Sequence, residues 1–167
     1  MSDLKIIGIE APIVWENTKA NRDAFEVRIR EVASDADIVA LPENFTSGFS
    51  MNTDKVDSWE SGNTINWMRE LCAEFDIALF ASVAFNMPDG GARNRGLFVR
   101  PNGDFEFYDK KHLFTLGGEN DNYIAGEERK VVEFRGWNVE ETTTFDEVNN
   151  KTREQGSLDQ QGRKTEV

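Results

Sequence analysis

Glu43 stands immediately after Pro42, which closes the apolar run Ile38-Val39-Ala40-Leu41. Proline has no N–H to give to a central ladder, so a strand over 38–41 must stop there and hold Glu43 at its carboxyl end, where open α/β folds keep their ligands. Taken alone, a carboxylate in that position is a solvated loop charge. A second stretch, Tyr108-Asp109-Lys110-Lys111-His112-Leu113-Phe114, follows the last strand of the pattern, and Gly118-Glu119-Asn120 comes after it. A lysine at a strand end near a glutamate is, by itself, a surface pair worth about 0–1 kcal/mol. His112 is the sole histidine and has no companions at metal-ligand spacing, so it reads as a structural hydrogen-bonding group, and no zinc site is visible. Cys72, the sole cysteine, falls on the apolar stripe of a helix with Ile65, Met68 and Phe75, and nothing around it suggests a lowered pKa. It reads as core rather than as a nucleophile.

The elements that must carry these residues follow in order. Leu4, Ile6, Ile7 and Ile9 give a first strand, apolar on both faces as a strand sandwiched between layers would be, and Pro12 ends it. Asn17 or Thr18 can accept an N-cap bond. Phe25, Ile29 and Val32 then repeat at i, i+4, i+7, with Arg22, Asp23, Glu26 and Arg30 on the wet side of the helix. Asp35 and Asp37 lead into the strand that delivers Glu43, and the loop continuing through Asn52 has the length of a functional loop. A second helix is expected over 63–74 and a strand over 77–85. Pro88-Asp89-Gly90-Gly91 has hairpin-turn chemistry, a returning strand covers 96–100, and Pro101-Asn102-Gly103-Asp104 turns again into 105–108. Strand, helix, strand, helix and an antiparallel meander suit a layered α+β arrangement, with helices on one face of a sheet and a second sheet on the other. Neither Gly90-Gly91 nor Gly117-Gly118 has the spacing of a phosphate loop, and there is no internal repeat.

The bulk properties exclude several function classes. A chain of 167 residues suffices for one domain burying roughly 70% of its unfolded surface, and no apolar run approaches the ~20 residues of a membrane span. The formal charge of −12 repels nucleic acid and anionic membrane surfaces alike. Met1-Ser2-Asp3-Leu4-Lys5 lacks the basic and apolar regions of a signal peptide, and one cysteine cannot form an internal disulfide, so a cytoplasmic location is expected.

Taken together, Leu41-Pro42-Glu43-Asn44-Phe45 with its continuation through Asn52, Tyr108-x-Lys110-x-His112-Leu113-Phe114, and the run from Gly118 to Gly126 leading to Val131-Val132-Glu133-Phe134-Arg135-Gly136-Trp137 resemble the motifs of the carbon-nitrogen hydrolase (nitrilase) superfamily. The likeness is strongest to its omega-amidase branch. It spans about residues 4–139 and includes Val14-Trp15-Glu16-Asn17. The resemblance implies a layered α-β-β-α sandwich, incomplete in this chain, with 1–139 as the N-terminal part of the hydrolase domain and 140–167 as a divergent polar tail. It further implies Glu43 as general base, Lys110 as stabiliser of the oxyanion and Glu119 as a supporting second glutamate. Those types suit amide hydrolysis. A carboxylate can deprotonate a nucleophile and then protonate departing ammonia, and a fixed ammonium can meet the negative charge that develops on the carbonyl oxygen. No metal or organic cofactor is required. The implied substrates are small omega-amides of 2-oxo dicarboxylic acids, such as 2-oxoglutaramate, and the implied assembly is a homodimer or an association with a full-length homologue.

The family's nucleophile is a cysteine on a strand shortly after the position of Trp137. Here Thr144-Phe145-Asp146 stands about where Cys-Tyr-Asp is expected, and no cysteine follows Cys72. A threonine hydroxyl is a far weaker nucleophile than a thiol at neutral pH. Residues 149–167 are almost wholly polar, a composition expected to stay disordered. The expectation is therefore an omega-amidase-like chain cut off before its nucleophile and inactive. The change after Trp137 resembles a frameshift, an alternative splice end or a mispredicted gene. The alternative is a non-catalytic nitrilase-fold protein that binds a small acid amide or pairs with a complete partner.

Overall fold

The structure, a computed structural model, describes residues 3–127 and 130–141. Among the described residues eight strands run in chain order: β1 (Ile6–Gly8), β2 (Ile38–Ala40), β3 (Asp57–Ser58), β4 (Ala78–Asn86), β5 (Ala92–Val99), β6 (Phe105–Asp109), β7 (Lys130–Phe134) and β8 (Trp137–Glu141). The helices are α1 (Thr18–Val32), α2 (Asn63–Phe75) and the short α3 (Glu119–Asn122). The first six strands form one sheet in the order β1-β2-β4-β5-β6, with β3 also paired to β4. β1, β2 and β4 are parallel, with α1 between β1 and β2 and α2 between β2 and β4, whereas β4, β5 and β6 form an antiparallel meander. β7 and β8 make a separate two-stranded sheet.

The period-2 alternation of the strands sorts two cores onto two faces. Val39 of β2, Leu79, Ala81, Val83 and Phe85 of β4, and Leu97 and Val99 of β5 pack against Phe25 and Ile29 of α1 and Ile65, Met68, Leu71 and Cys72 of α2. Ile38, Ala78 and Phe98, the residues in between, meet Val132 and Phe134 of β7 on the opposite face. The expected layering of helices, sheet and second sheet is what the chain adopts. Each fully buried large side chain contributes about 1.5–3 kcal/mol. The helices begin where expected, with Asn17 Oδ1 accepting from Ala20 N–H at 3.1 Å at the start of α1.

Four differences have physical reasons. β1 is an edge strand, not a sandwiched one, and Ile6 is 57% exposed. Arg22 is not on a wet face: its guanidinium reaches inward to Asp57 Oδ1 (3.0 Å) and Thr64 Oγ1 (2.8 Å). β5 starts at Ala92 rather than at 96, because Arg95 is made compatible with a buried strand. Its guanidinium lies against the rings of both Trp59 and Phe107, 4.2 and 3.9 Å from their centroids, with a bidentate bond to Asp109. Finally, β8 continues through Glu141, so the division expected at 139 falls inside a strand, while Thr144 and the rest of the polar tail lie outside the described residues. Among the described residues no helix is long and apolar enough to cross a membrane.

Candidate active site

After β2 ends, the chain keeps touching β4. Leu41 N–H donates to Phe80 O at 2.9 Å and Phe45 N–H to Ser82 O at 3.3 Å, so Glu43 is held on a short arc between two anchored points. Asn44 completes that arc in the left-handed region (φ 50°), which asparagine tolerates better than most residues. Lys110 arrives from the β6 edge of the sheet, on the same face. Register pairs Gly96 with Tyr108 and Arg95 with Asp109, and Lys110 N–H donates to Asn94 O at 2.8 Å, continuing the β5–β6 ladder one step beyond β6. Glu119 is the first residue of α3, following Gly118 at φ 76°.

These three meet. Lys110 Nζ lies 2.8 Å from Glu43 Oε1 and 2.9 Å from Glu119 Oε2. Glu119 Oε2 also accepts from Phe114 N–H at 2.7 Å. Asn94 Nδ2 spans the pair, donating to Glu43 Oε1 at 2.8 Å and Glu119 Oε1 at 3.0 Å. Lys110 and Glu119 are buried, while the Glu43 side chain keeps 36% of its surface exposed. Glu43 is thus the member of the trio that solvent or a small molecule can reach. The ring of Phe49 lies over the ammonium, 5.3 Å from its centroid.

The electrostatics follow from this enclosure. Burial alone lowers the Lys110 pKa, but the hydrogen bonds and negative charges of Glu43 and Glu119 outweigh it and hold the ammonium above its ordinary 10.5. A buried lysine is thereby kept charged, and a carboxylate with an exposed edge stands beside it. That arrangement can accept a proton at Glu43 and offer a fixed positive charge to an oxygen that becomes anionic.

Cys72 does not belong to this constellation. It packs in the core between the helices and the sheet, its thiol directed at Val99 O at 3.3 Å, and burial pushes its pKa up to about 12. Ser82 and Asn94 alternate with the strand residues that touch that core, so the trio lies on the opposite face of the sheet. His112 is exposed, and among the described residues no group of three or more His, Cys, Asp or Glu is arranged to hold a metal ion.

Asn94 and Ser82 were not singled out by the sequence. Ser82 Oγ donates to Asn94 Oδ1 at 2.6 Å and accepts from Asn44 N–H at 3.2 Å. Their signal was a serine inside an apolar strand and an asparagine just before the next, and the two arginines around Asn94 concealed that its strand had already begun.

Comparison with known proteins bears on this geometry. Residues 7–146 match the carbon-nitrogen hydrolase family. The chain is 40% identical over 146 residues to an omega-amidase, YafV, of Yersinia enterocolitica, and 36% identical over 146 residues to the YafV omega-amidase of Escherichia coli K12. In both cases 87% of this chain is covered but only 56% of the relative, so the chain spans about half the length of the curated relatives it matches. Among solved structures, XC1258 of Xanthomonas campestris, described as a CN-hydrolase superfamily protein with an arsenic adduct in its active site, superposes with a TM-score of 0.80 at 37% identity. That match covers 85% of this chain and 53% of XC1258.

Proposed function

This chain belongs to the carbon-nitrogen hydrolase family, and from that premise we propose that its site is the base-and-lysine portion of an omega-amidase-type amidohydrolase centre. In this reading Glu43 takes the proton of an attacking nucleophile and returns it to departing ammonia. Lys110 faces the carbonyl oxygen as it becomes anionic, and Glu119 keeps Lys110 charged. The substrate is an omega-amide of a 2-oxo dicarboxylic acid, such as 2-oxoglutaramate. The identity of 36–40% to omega-amidases supports the substrate class. The observation that carries the reading is the clamp of Lys110 Nζ between Glu43 and Glu119 at 2.8 and 2.9 Å.

The attacking atom is a separate matter. Cys72 is the chain's single thiol, and it is protonated and on the wrong face of the sheet. Thr144, near the expected nucleophile position, offers only a hydroxyl. We therefore propose that this chain by itself engages the amide without hydrolysing it. The trio has a net charge of −1, so the carboxylates of an anionic amide must be met by other groups. In the test, the purified chain is mixed with 2-oxoglutaramate while ammonia release and binding are followed separately. Saturable binding, weakened about tenfold in Lys110→Met, with no ammonia above buffer is the expected result. Ammonia release that vanishes in Glu43→Gln would show instead that the chain is a working enzyme. The position of Cys72 also favours a second reading, in which the chain is a non-catalytic partner in a homodimer or beside a full-length homologue. Sedimentation of the chain alone and with such a homologue distinguishes that case.

A further inference from the structure

The hydrogen bonds behind the trio run in one direction. Asn44 N–H donates to Ser82 Oγ, and the Ser82 hydroxyl, with that lone pair engaged, donates to Asn94 Oδ1. With its oxygen occupied, Asn94 has two amide hydrogens left, and its Nδ2 is within bonding distance of one carboxylate on each side. Turning the amide over would set Oδ1 against two carboxylate oxygens and remove the acceptor that the Ser82 hydroxyl uses. Both Ser82 and Asn94 are buried, at 5% and 1% exposure, so water offers neither a ready substitute partner.

We propose that the Ser82–Asn94 pair is a positioning device that sets Glu43 and Glu119 on either side of Lys110 and holds the exposed edge of Glu43 ready for a substrate. The proposal rests on the reading of Glu43 as the base. Asn94 acts through Glu43, whose Oε1 accepts its amide hydrogen, and exchanges no proton itself. Its role is to stop Glu43, the one member of the trio with solvent beside it, from swinging away from Lys110 into water. Asparagine suits this role because it donates twice without adding charge. Aspartate in its place would set a third carboxylate beside the first two, and leucine would keep the shape but give no donor.

The test is an NMR titration of Lys110, followed through its 13Cε resonance in the full chain, with the backbone amide fingerprint as the check of folding. In Asn94→Leu the Lys110 midpoint is expected to fall by about one pH unit, a tenfold change in its ionisation constant, because Glu43 is released from it. In Asn94→Asp the added charge should raise the midpoint. Ser82→Ala, which keeps Asn94 but frees its oxygen, should lower it by less than Asn94→Leu does. If Asn94→Leu fails to fold, the opposite signs expected for Ser82→Ala and Asn94→Asp carry the test. An unmoved midpoint in a folded Asn94→Leu or Ser82→Ala variant overturns the proposal, and so does a shift of the same sign in all variants, which is what packing damage would give. No turnover is measured, so failure here leaves the amidohydrolase reading standing, and a lack of ammonia release leaves the positioning role standing.

Discussion

Lys110 brings one positive charge into an enclosure with two carboxylates, and its energetics are those of a buried ion pair. Removing one partner of such a pair is costly because the other is left charged and without compensation, by about 3–5 kcal/mol. Lys110→Met should therefore destabilise the fold by about that amount in urea titration, and Lys110→Met/Glu119→Gln should recover part of the loss; equal destabilisation in both would mean that Glu119 does not carry the penalty. Alkaline stability follows from the same surroundings. Cys72 is pushed up to about 12 by burial, Tyr123 up to about 12 by burial and the Glu119 charge, and Lys110 above 10.5 by its two glutamates. Each group holds its proton more tightly folded than unfolded. Its contribution is thus fully present below its unfolded value and is lost as pH rises through the folded one. Stability should be level to about pH 9, the ordinary value for Cys72, and then fall steadily towards pH 12. Denaturation midpoints at one-unit intervals check the slope. At this scale motif order marks Glu43, Lys110 and Glu119 in the sequence, and the fold brings their side chains together. Asn94 is not marked in this way, because its bonds to both glutamates come from cross-strand register, which has no local sequence sign.

The elements place these residues through contacts between segments distant in the chain. Asn21 of α1, fully buried, accepts from Val14 N–H at 2.7 Å and donates to Val14 O at 2.7 Å and Thr46 O at 2.6 Å. One side chain thus ties the segment before α1 to the loop that follows Glu43. Tyr123 adds a second tie to that loop through its hydroxyl, which donates to Ser50 O at 2.6 Å. Asn21→Leu should cost about 3 kcal/mol in denaturation, since it leaves buried backbone groups unpaired. It should also speed amide exchange in the Thr46–Ser50 loop more than in β4, and uniform exchange would show that the loop does not depend on this tie. Gly48→Ala tests the same loop from its backbone. Gly48 has φ 73°, and an added Cβ would lie 3.0 Å from Trp15 Cε3, so strain and contact act together. A loss of about 1–2 kcal/mol is expected. Helical periodicity, the Asn17 cap and the Pro-Asp-Gly-Gly turn made α1, α2 and the β4–β5 hairpin readable. The edge position of β1 and the inward turn of Arg22 were not, since both depend on partners, β2 and Asp57, that the local pattern does not name.

At the scale of the whole molecule, the part of the second face of the main sheet that holds Ile38, Ala78 and Phe98 is covered by β7 and β8, and two kinds of interaction hold them there. One is apolar: Val132 and Phe134 cover Ile38, Ala78 and Phe98, and the Phe98 and Phe134 rings meet edge to face with centroids 5.5 Å apart. The other is ionic. Arg135, at the tight turn between β7 and β8, pairs with Asp37 and with Asp76, the latter at 3.1 Å from its carboxylate and 2.8 Å from its carbonyl. The Asp37 carboxyl is held below its ordinary range, first by the backbone N–H of Lys5 and then by Arg135. The magnitudes differ clearly. Removing a buried phenylalanine costs about 3–5 kcal/mol, whereas an exposed ion pair is worth about 0–1 kcal/mol and is screened by salt. Phe134→Ala should therefore detach β7 and β8 and lower stability by about 3 kcal/mol at any ionic strength, while Arg135→Ala should cost about 1 kcal/mol or less, an effect that shrinks further in 0.5 M salt. Urea denaturation of both variants at low and high salt measures the ordering. If Arg135→Ala proved the larger loss, the ionic contacts rather than the apolar layer would be what joins the two sheets. The apolar result would mean that the trio's face of the sheet keeps its cover through the same alternation of side chains that sends Cys72 to the other side.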